Sequence, residues 1–287
     1  MYSRFSNAFV SLLCFPLFLG AQATFVPDSL TFITTVIDSV AFSDRVSTIP
    51  SFTIYGDNYF LTGSTLGESP ASDNSDAKFQ IGFKQRLTNK KFLWGSYLFF
   101  TYRQKVFWDI YKESYPFRET NYNPSLALFK PFFKDSKFHS FLQVQFEHES
   151  NGRDGANSRS WNFFSATYNT YISDNLSGSL KIWIPLKPPV ENKNITEFRG
   201  YQQLDLAYRL NKNIIFDTEI RKAPSFDWKG SLVVGASYRI SQRSNQFIYL
   251  QYYMGYSEEL ITFDESTYRL RIGIAFKDLF MKFRGKQ

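Results

Sequence analysis

Apolar and polar residues alternate with a period of two along much of this chain, and no other feature of the sequence restricts its fold as strongly. Leu204, Leu206, Tyr208 and Leu210 alternate with Gln203, Asp205 and Arg209. Ile214, Phe216, Thr218 and Ile220 alternate with Asp217, Glu219 and Arg221. Similar runs start at Leu180, Leu232, Ile248 and Leu270. Successive strand residues point to opposite faces, so each run is a strand with one apolar and one polar side. The ionised residues keep to one side in run after run. About twelve runs of roughly ten residues each can be counted, an even number, as single-chain bacterial barrels have. Leu210-Asn211-Lys212-Asn213 reads as a tight turn, and the polar stretch from Pro188 to Thr196 as a longer loop.

Periodicity alone leaves two architectures open. In a soluble sandwich the polar side meets water; in a membrane barrel the apolar side meets lipid and the polar side a lumen. The run length favours the barrel. So does the aromatic content of 19%, with 32 Phe and 18 Tyr, which supplies girdles near strand ends. The N-terminus favours it as well. Arg4, an apolar stretch from Ala8 to Gly20 and the A-x-A pattern Ala21-Gln22-Ala23 form an export signal. The expected fold is therefore all-β, an antiparallel transmembrane β-barrel of about twelve strands. Residues 1–23 are expected to be a signal peptide and 24–52 an N-terminal periplasmic segment without clear alternation. Residues 53–287 are expected to form the outer-membrane barrel.

Several chemistries are excluded. Cys14 is the only cysteine and lies in the leader, so the mature chain has no disulfide and no thiolate. With His139 and His148 as the only histidines, a His-rich metal site is excluded. There is no Gly-rich phosphate loop, and no basic-aromatic cluster suggests nucleic acid. The formal charge of +7, or +6 without Arg4, suits an anionic lipid surface or a solvated lumen equally.

One hairpin, Gln143 to Phe164, carries reactive groups. Leu142, Val144, Phe146, His148 and Ser150 share a face; Ser158, Ser160, Asn162, Phe164 and Ala166 continue that face on the return strand. A turn centred on Gly155 sets position 148 opposite 162. Opposed residues have Cβ atoms about 4.5–5.5 Å apart. A hydroxyl, an imidazole and a carboxamide then meet on an apolar face, the parts of a nucleophile, a base and a group that orients the base. The alternative is that these polar residues only mark where the strand leaves the membrane.

The residues around them resemble the outer-membrane phospholipase A family, whose motif is H-x-S-N-G-R followed by S-R-S-W-N. His148, Ser150, Asn151, Gly152 and Arg153 match the first part, and Ser158, Arg159, Ser160, Trp161 and Asn162 the second. P-F-R-E-T-N-Y-N-P (Pro116 to Pro124), G-Y-S-E-E-L-I (Gly255 to Ile261) and K-D-L-F (Lys277 to Phe280) match further family segments. Two departures stand out. The turn Asp154-Gly155-Ala156-Asn157 replaces a Pro-containing turn, and the chain continues past Phe280, where the family often ends.

The resemblance implies calcium-dependent hydrolysis of phospholipid acyl esters, with phospholipase A1, A2 and lysophospholipase activity. It implies Ser150 as nucleophile, His148 as general base, Asn162 as orienting group and the Gly152 N–H as an oxyanion donor. It also implies Ca2+ ligands at the Arg153 carbonyl and the Ser158 hydroxyl, Ser114 from a second subunit of a homodimer, and Glu191 in the monomeric form. Gln104 corresponds to a polar residue of the dimer contact. The implied setting is the outer membrane of a Gram-negative bacterium, with the site on the outer-leaflet side, membrane phospholipids as partners and the barrel-insertion machinery as assembly partner. The competing expectations are a non-enzymatic porin or adhesin, which requires an open lumen, and a lipopolysaccharide deacylase.

Overall fold

The computed structural model describes residues 39–135, 137–187, 190–241 and 244–278. The expected leader and the extension past Phe280 lie outside the described residues. The wall consists of β1 (Phe52–Ile54), β2 (Asn58–Thr65), β3 (Ser75–Arg86), β4 (Tyr97–Trp108), β5 (Phe117–Lys134), β6 (Lys137–Ser150) and β7 (Ser160–Tyr171), followed by β8 (Leu176–Pro185), β9 (Gln202–Arg209), β10 (Ile214–Lys222), β11 (Gly230–Arg239), β12 (Gln246–Tyr256) and β13 (Ser266–Phe276). Every pairing is antiparallel. β13 pairs with β2 and β3 with both β2 and β4, which closes the sheet on itself. β1 and β2 lie end to end against β3, Phe52 opposite Gln85 and Ser64 opposite Ser75. They therefore form one interrupted strand, and the wall has twelve positions, an even number.

Closure decides what periodicity left open. Arg271 is 1% exposed and Lys78 2%, whereas Ile184 is 71% and Ile274 51% exposed. The ionised side of each strand faces inward and the apolar side outward, as in a membrane barrel. The interior is a charge network rather than an open channel. Arg271 Nε and Nη2 donate to the two carboxylate oxygens of Asp76 at 2.7 and 2.9 Å, and its Nη1 donates to Glu258 at 2.7 Å. Lys78 Nζ donates to Glu258 at 3.0 Å, and Lys277 Nζ to Asp217 at 2.6 Å. Buried charge is tolerated only when paired in this way.

Both mouths are filled. At one end α1 (Ser39–Thr48) presents Phe42 and Val46, one helical turn apart, to Tyr97, Phe138, Phe141 and Tyr171. The short turns lie at this end. In one of them Asn211 Oδ1 accepts the Asn213 and Ile214 N–H groups at 2.8 and 3.0 Å, an Asx turn. At the other end the segment after β12 folds back. Its Leu260 and Phe263 pack with Trp161, Phe163, Trp183 and Ile195, the last from α2 (Ile195–Arg199). Leu260 N–H donates to Asn121 Oδ1 at 3.2 Å and Ile261 N–H to Glu119 Oε1 at 3.1 Å, which fixes the segment to β5. The wide lumen that a porin needs is absent among the described residues.

Candidate active site on the outer face

The β6–β7 register makes the site. Ser140 pairs with Thr170 and Ser150 with Ser160 without interruption, so His148 lies directly opposite Asn162. Both side chains point outward, and His148 Nδ1 is 2.9 Å from Asn162 Oδ1. An amide oxygen can only accept, so Nδ1 carries the ring proton and Nε2 keeps its lone pair. Ser150 shares the outward face two residues on, about 6.6 Å along the strand, next to Tyr122 of β5. Immediately below the pair, Phe146 and Phe164 meet at 5.2 Å between ring centroids and continue the face as an apolar wall.

The inward neighbours hold this strand in place. Glu147 is 2.6 Å from Lys181 Nζ and also accepts the Ser165 hydroxyl. Glu149 accepts Trp161 Nε1 and Arg199 Nη2, each at 3.0 Å. On the β5 side the residue level with His148 is Pro124, which has no N–H to give; Asn123 Nδ2 donates to the His148 carbonyl instead, at 3.1 Å. Glu149, Trp161, Asn123 and Arg199 thus support the site, although the sequence assigned none of them a role. Glu147 and Glu149 could have been singled out as ionised residues flanking His148 on the opposite face.

The loop after Ser150 is built around Asn151. Its Oδ1 accepts the Arg159 N–H at 2.9 Å and its Nδ2 donates to the Asn157 carbonyl at 2.9 Å. Gly152 has a φ of +68°, a conformation that disfavours a side chain. A Cβ there would lie 3.0 Å from the Tyr122 ring. The Gly152 N–H meets no acceptor among the described residues. A short turn, Gly155–Asn157, leads to Ser158, whose N–H donates to the Gly155 carbonyl at 3.0 Å. Arg153 is tied down through its side chain, with Nε 3.3 Å from Glu119 and Nη2 donating to the Arg118 carbonyl.

For a calcium ion the donor set is uneven. The Arg153 carbonyl and Ser158 hydroxyl are oxygen donors that accept no hydrogen bond among the described residues. Hard oxygen ligands of this kind fit Ca2+. No group of three or more His, Cys, Asp or Glu able to hold a metal exists among the described residues. One chain therefore offers a partial site. Glu191 is exposed on the turn Val190–Asn192, whose buried Asn192 bridges to Ser160 by donating to its carbonyl at 2.9 Å. That contact secures the turn beside the β7 end of the loop. Ser114 is exposed in the loop between β4 and β5, at φ +66°. It makes no contact with the Arg153 and Ser158 groups of its own chain among the described residues. Gln104 faces outward on β4 opposite Tyr122, and accepts the Tyr102 hydroxyl at 2.8 Å. Gln104, Tyr122 and Ser150 thus occupy one row across three strands.

A closed antiparallel barrel with apolar walls outside and ions inside defines an outer-membrane type of β-barrel, and the His148–Asn162 pair is a candidate site on its outer surface. The phospholipase A1 family profile matches residues 47–276, and the chain belongs to that family. It is 30% identical to phospholipase A1 of Salmonella typhimurium over 228 residues, 76% of this chain and 75% of the relative. Against phospholipase A1 of Klebsiella pneumoniae the identity is 32% over 214 residues, 71% of each chain. The outer membrane phospholipase A structure from Escherichia coli superimposes with a TM-score of 0.69 at 27% identity, over 80% of this chain and 99% of that one. The Salmonella typhi outer membrane phospholipase, a dimer with bound calcium, superimposes with a TM-score of 0.68 at 26% identity, over 79% and 93% of the two chains. The protein is accordingly an outer-membrane enzyme that hydrolyses phospholipids.

Proposed function

We propose that Ser150, His148 and Asn162 form the hydrolytic triad, facing the outer leaflet, and that the enzyme is a calcium-dependent homodimer. The observation that carries this reading is the 2.9 Å contact between His148 Nδ1 and Asn162 Oδ1 on the lipid-facing side. Ser150 Oγ attacks the acyl carbonyl while its proton passes to His148 Nε2. The proton on Nδ1 stays hydrogen-bonded to Asn162, which holds the tautomer and stabilises the imidazolium. The oxyanion accepts the Gly152 N–H. His148 then returns the proton to the glycerol oxygen, releasing a lysophospholipid, and water discharges the acyl-serine by the same route in reverse. A neutral carboxamide suits this surface, because an ionised carboxylate facing lipid carries a heavy desolvation cost. Bound by the Arg153 carbonyl and the Ser158 hydroxyl, Ca2+ supplies positive charge at the oxyanion.

Dimerisation follows from the ligand shortage. Calcium takes about 6–8 oxygens, and the hairpin offers two that carry no net charge. Ser114 of a second copy adds an oxygen if the Gln104–Tyr122–Ser150 row is the contact. A hydrogen bond from Gln104 across that lipid-buried contact contributes roughly 1 kcal/mol. Fatty-acid release by purified, refolded protein with and without calcium tests the reading: wild type is active only with calcium and Ser150→Ala is inactive. Full activity of Ser150→Ala, or activity in excess chelator, rejects it. The shared site is tested by mixing Ser150→Ala with Ser114→Leu. Activity reappears if Ser114 acts in trans; no recovery in demonstrated mixed dimers rejects the sharing.

A further inference from the structure

The turn between β3 and β4 holds its largest apolar side chains in the open. Phe92 and Leu93 are exposed, and Trp94 is 75% exposed. The turn is closed by its own backbone. Phe92 N–H donates to the Ser96 carbonyl at 2.6 Å, Gly95 N–H to that of Phe92 at 3.0 Å and Ser96 N–H to that of Leu93 at 3.1 Å. Trp94 takes a φ of +56°, a left-handed conformation that bulky residues rarely adopt. At the same end of the barrel, Asn211 closes the β9–β10 turn with polar groups alone. Lys90 and Lys91 precede the apolar triplet, both exposed, and residues 87–96 contain no Asp or Glu. Leu98 of β4 pairs with Leu128 of β5, so Lys130, two residues on, is level with the end of the turn. Lys130 pairs with Leu142 on the outward face, and its Nζ lies 5.5 Å from the Phe132 ring centroid. The acids at this end outside the lumen network are Asp44 on α1, Asp135 after β5 and Asp174 in the β7–β8 turn. Among the described residues none of them forms an ion pair with Lys90, Lys91 or Lys130.

Three large apolar side chains side by side in water are a liability, whereas at a membrane interface they are stabilising. Short turns mark the periplasmic end of a barrel, so this turn meets the inner leaflet. Leu98 and Leu128 make it continuous with the outward apolar wall. Placing Phe92, Leu93 and Trp94 among the acyl chains sets Lys90 and Lys91 at headgroup level. Lys130 lays its apolar stem along the wall and carries its ammonium toward the same level. A zwitterionic headgroup brings its own cation to these lysines; an anionic one does not. We propose that this rim binds an anionic phospholipid of the inner leaflet, its phosphate between the lysines and its chains against the apolar triplet. The lipid is held as an anchor and not as a substrate, because β6 runs from this end to Ser150 at the other.

The experiment refolds the full chain in detergent micelles holding equal amounts of dialkyl-ether phosphatidylglycerol and phosphatidylcholine, whose chains have no ester to cleave. Native mass spectrometry counts the lipids that stay bound, and heat-modifiable migration reports a folded barrel. One lysine near a lipid surface favours an anionic headgroup by about five-fold, so with screening the wild type should retain phosphatidylglycerol over phosphatidylcholine by about 10-fold. Lys90→Gln/Lys91→Gln should bring the ratio to within about two-fold of unity. Lys212→Gln, in another turn at the same end, should keep the wild-type ratio. Trp94→Ala should lower retention of both lipids at an unchanged ratio. A wild-type ratio near unity overturns the proposal. So does a double variant that keeps the wild-type preference, which would put the anionic lipid elsewhere, or full retention of both lipids in Trp94→Ala. If the double variant does not fold, Lys130→Gln decides: an undiminished preference in it rejects the site.

Discussion

On β6 a single strand serves two regions with opposite rules. Its inward residues Glu147 and Glu149 each hold two partners, one of them a cation; Glu147 is buried and Glu149 largely so. Among the described residues its outward residue His148 has one side-chain partner, Asn162, and none at its second ring nitrogen. The contrast recurs across the barrel. Arg271 makes four hydrogen bonds to Asp76 and Glu258, while the outer face beside the site is Phe146, Phe164 and Ile184. Ion pairs of this kind fix the interior and tie up the groups that make them. The proposed site needs an unsatisfied nitrogen and an accessible hydroxyl, and the outward side of a rigid strand can present both in fixed geometry. The two regions therefore should fail differently: outward changes should cost rate, inward changes should cost fold.

The largest expected effect is on rate. His148→Ala should reduce fatty-acid release by about 10^4-fold or more, with the heat-modifiable migration of a folded barrel unchanged. A melting temperature lowered along with activity would break the comparison, because His148 would then be a structural residue. Next comes Arg271→Leu, on the inward side. It leaves Asp76 and Glu258 buried with only Lys78 and Arg118 to answer them. Breaking such a pair costs about 3–5 kcal/mol. Folded yield and Tm should fall, while the protein that does fold keeps its turnover per active site, as active-site titration would measure. Normal stability with lost turnover would show that the lumen network takes part in catalysis.

Much of the outer region was legible in the sequence, and less of the inner. The pairing of His148 with Asn162 follows from period-two patterns on both strands and a Gly-containing turn, which together leave one register. Periodicity alone did not say whether the apolar sides meet lipid or a core; run length, aromatic content and the export signal pointed to lipid, and closure of β2 onto β13 and β3 onto β4 bears that out. The filled mouths were harder still. Leu260 and Phe263 are apolar residues in a polar loop, but their partners Trp161 and Trp183 are about 80 to 100 residues away in the chain. Phe42, Val46 and Ile49 follow a helical spacing inside a segment read only as lacking alternation. The supports of the reactive loop, Asn151 and Asn192, are polar residues whose roles depend on contacts with distant backbone.

Asn162→Ala sharpens the comparison at intermediate size. The imidazole loses the acceptor that fixes its tautomer, yet β-strand pairing and the neighbouring wall still limit the ring. A loss of about 10^2-fold is expected, well short of that in His148→Ala. If the two losses are equal and complete, Asn162 has a second role, such as holding the hairpin register, and the Tm of the variant would reveal it.

The smallest effect expected, and the one that mixes both regions, is Gly152→Ala. A left-handed φ disfavours an alanine by about 1–2 kcal/mol, and the added Cβ meets the Tyr122 ring at 3.0 Å. Tyr122 stands between Ser150 and Gln104 on the outer face, so its ring can yield toward lipid more readily than the loop backbone can. The loop is anchored by Asn151 and should move by a few tenths of an ångström rather than unfold. In the proposed mechanism the Gly152 N–H is then displaced from the oxyanion, not removed. Removing one oxyanion donor outright costs about 10^2–10^3-fold, so a displaced one should lower kcat by about 10-fold, with KM nearly constant and Tm reduced by a few degrees. Saturation kinetics on monomeric substrate, at fixed calcium, separate the two readouts. If Tm falls and kcat does not, the glycine serves only the turn, and the oxyanion donor lies elsewhere.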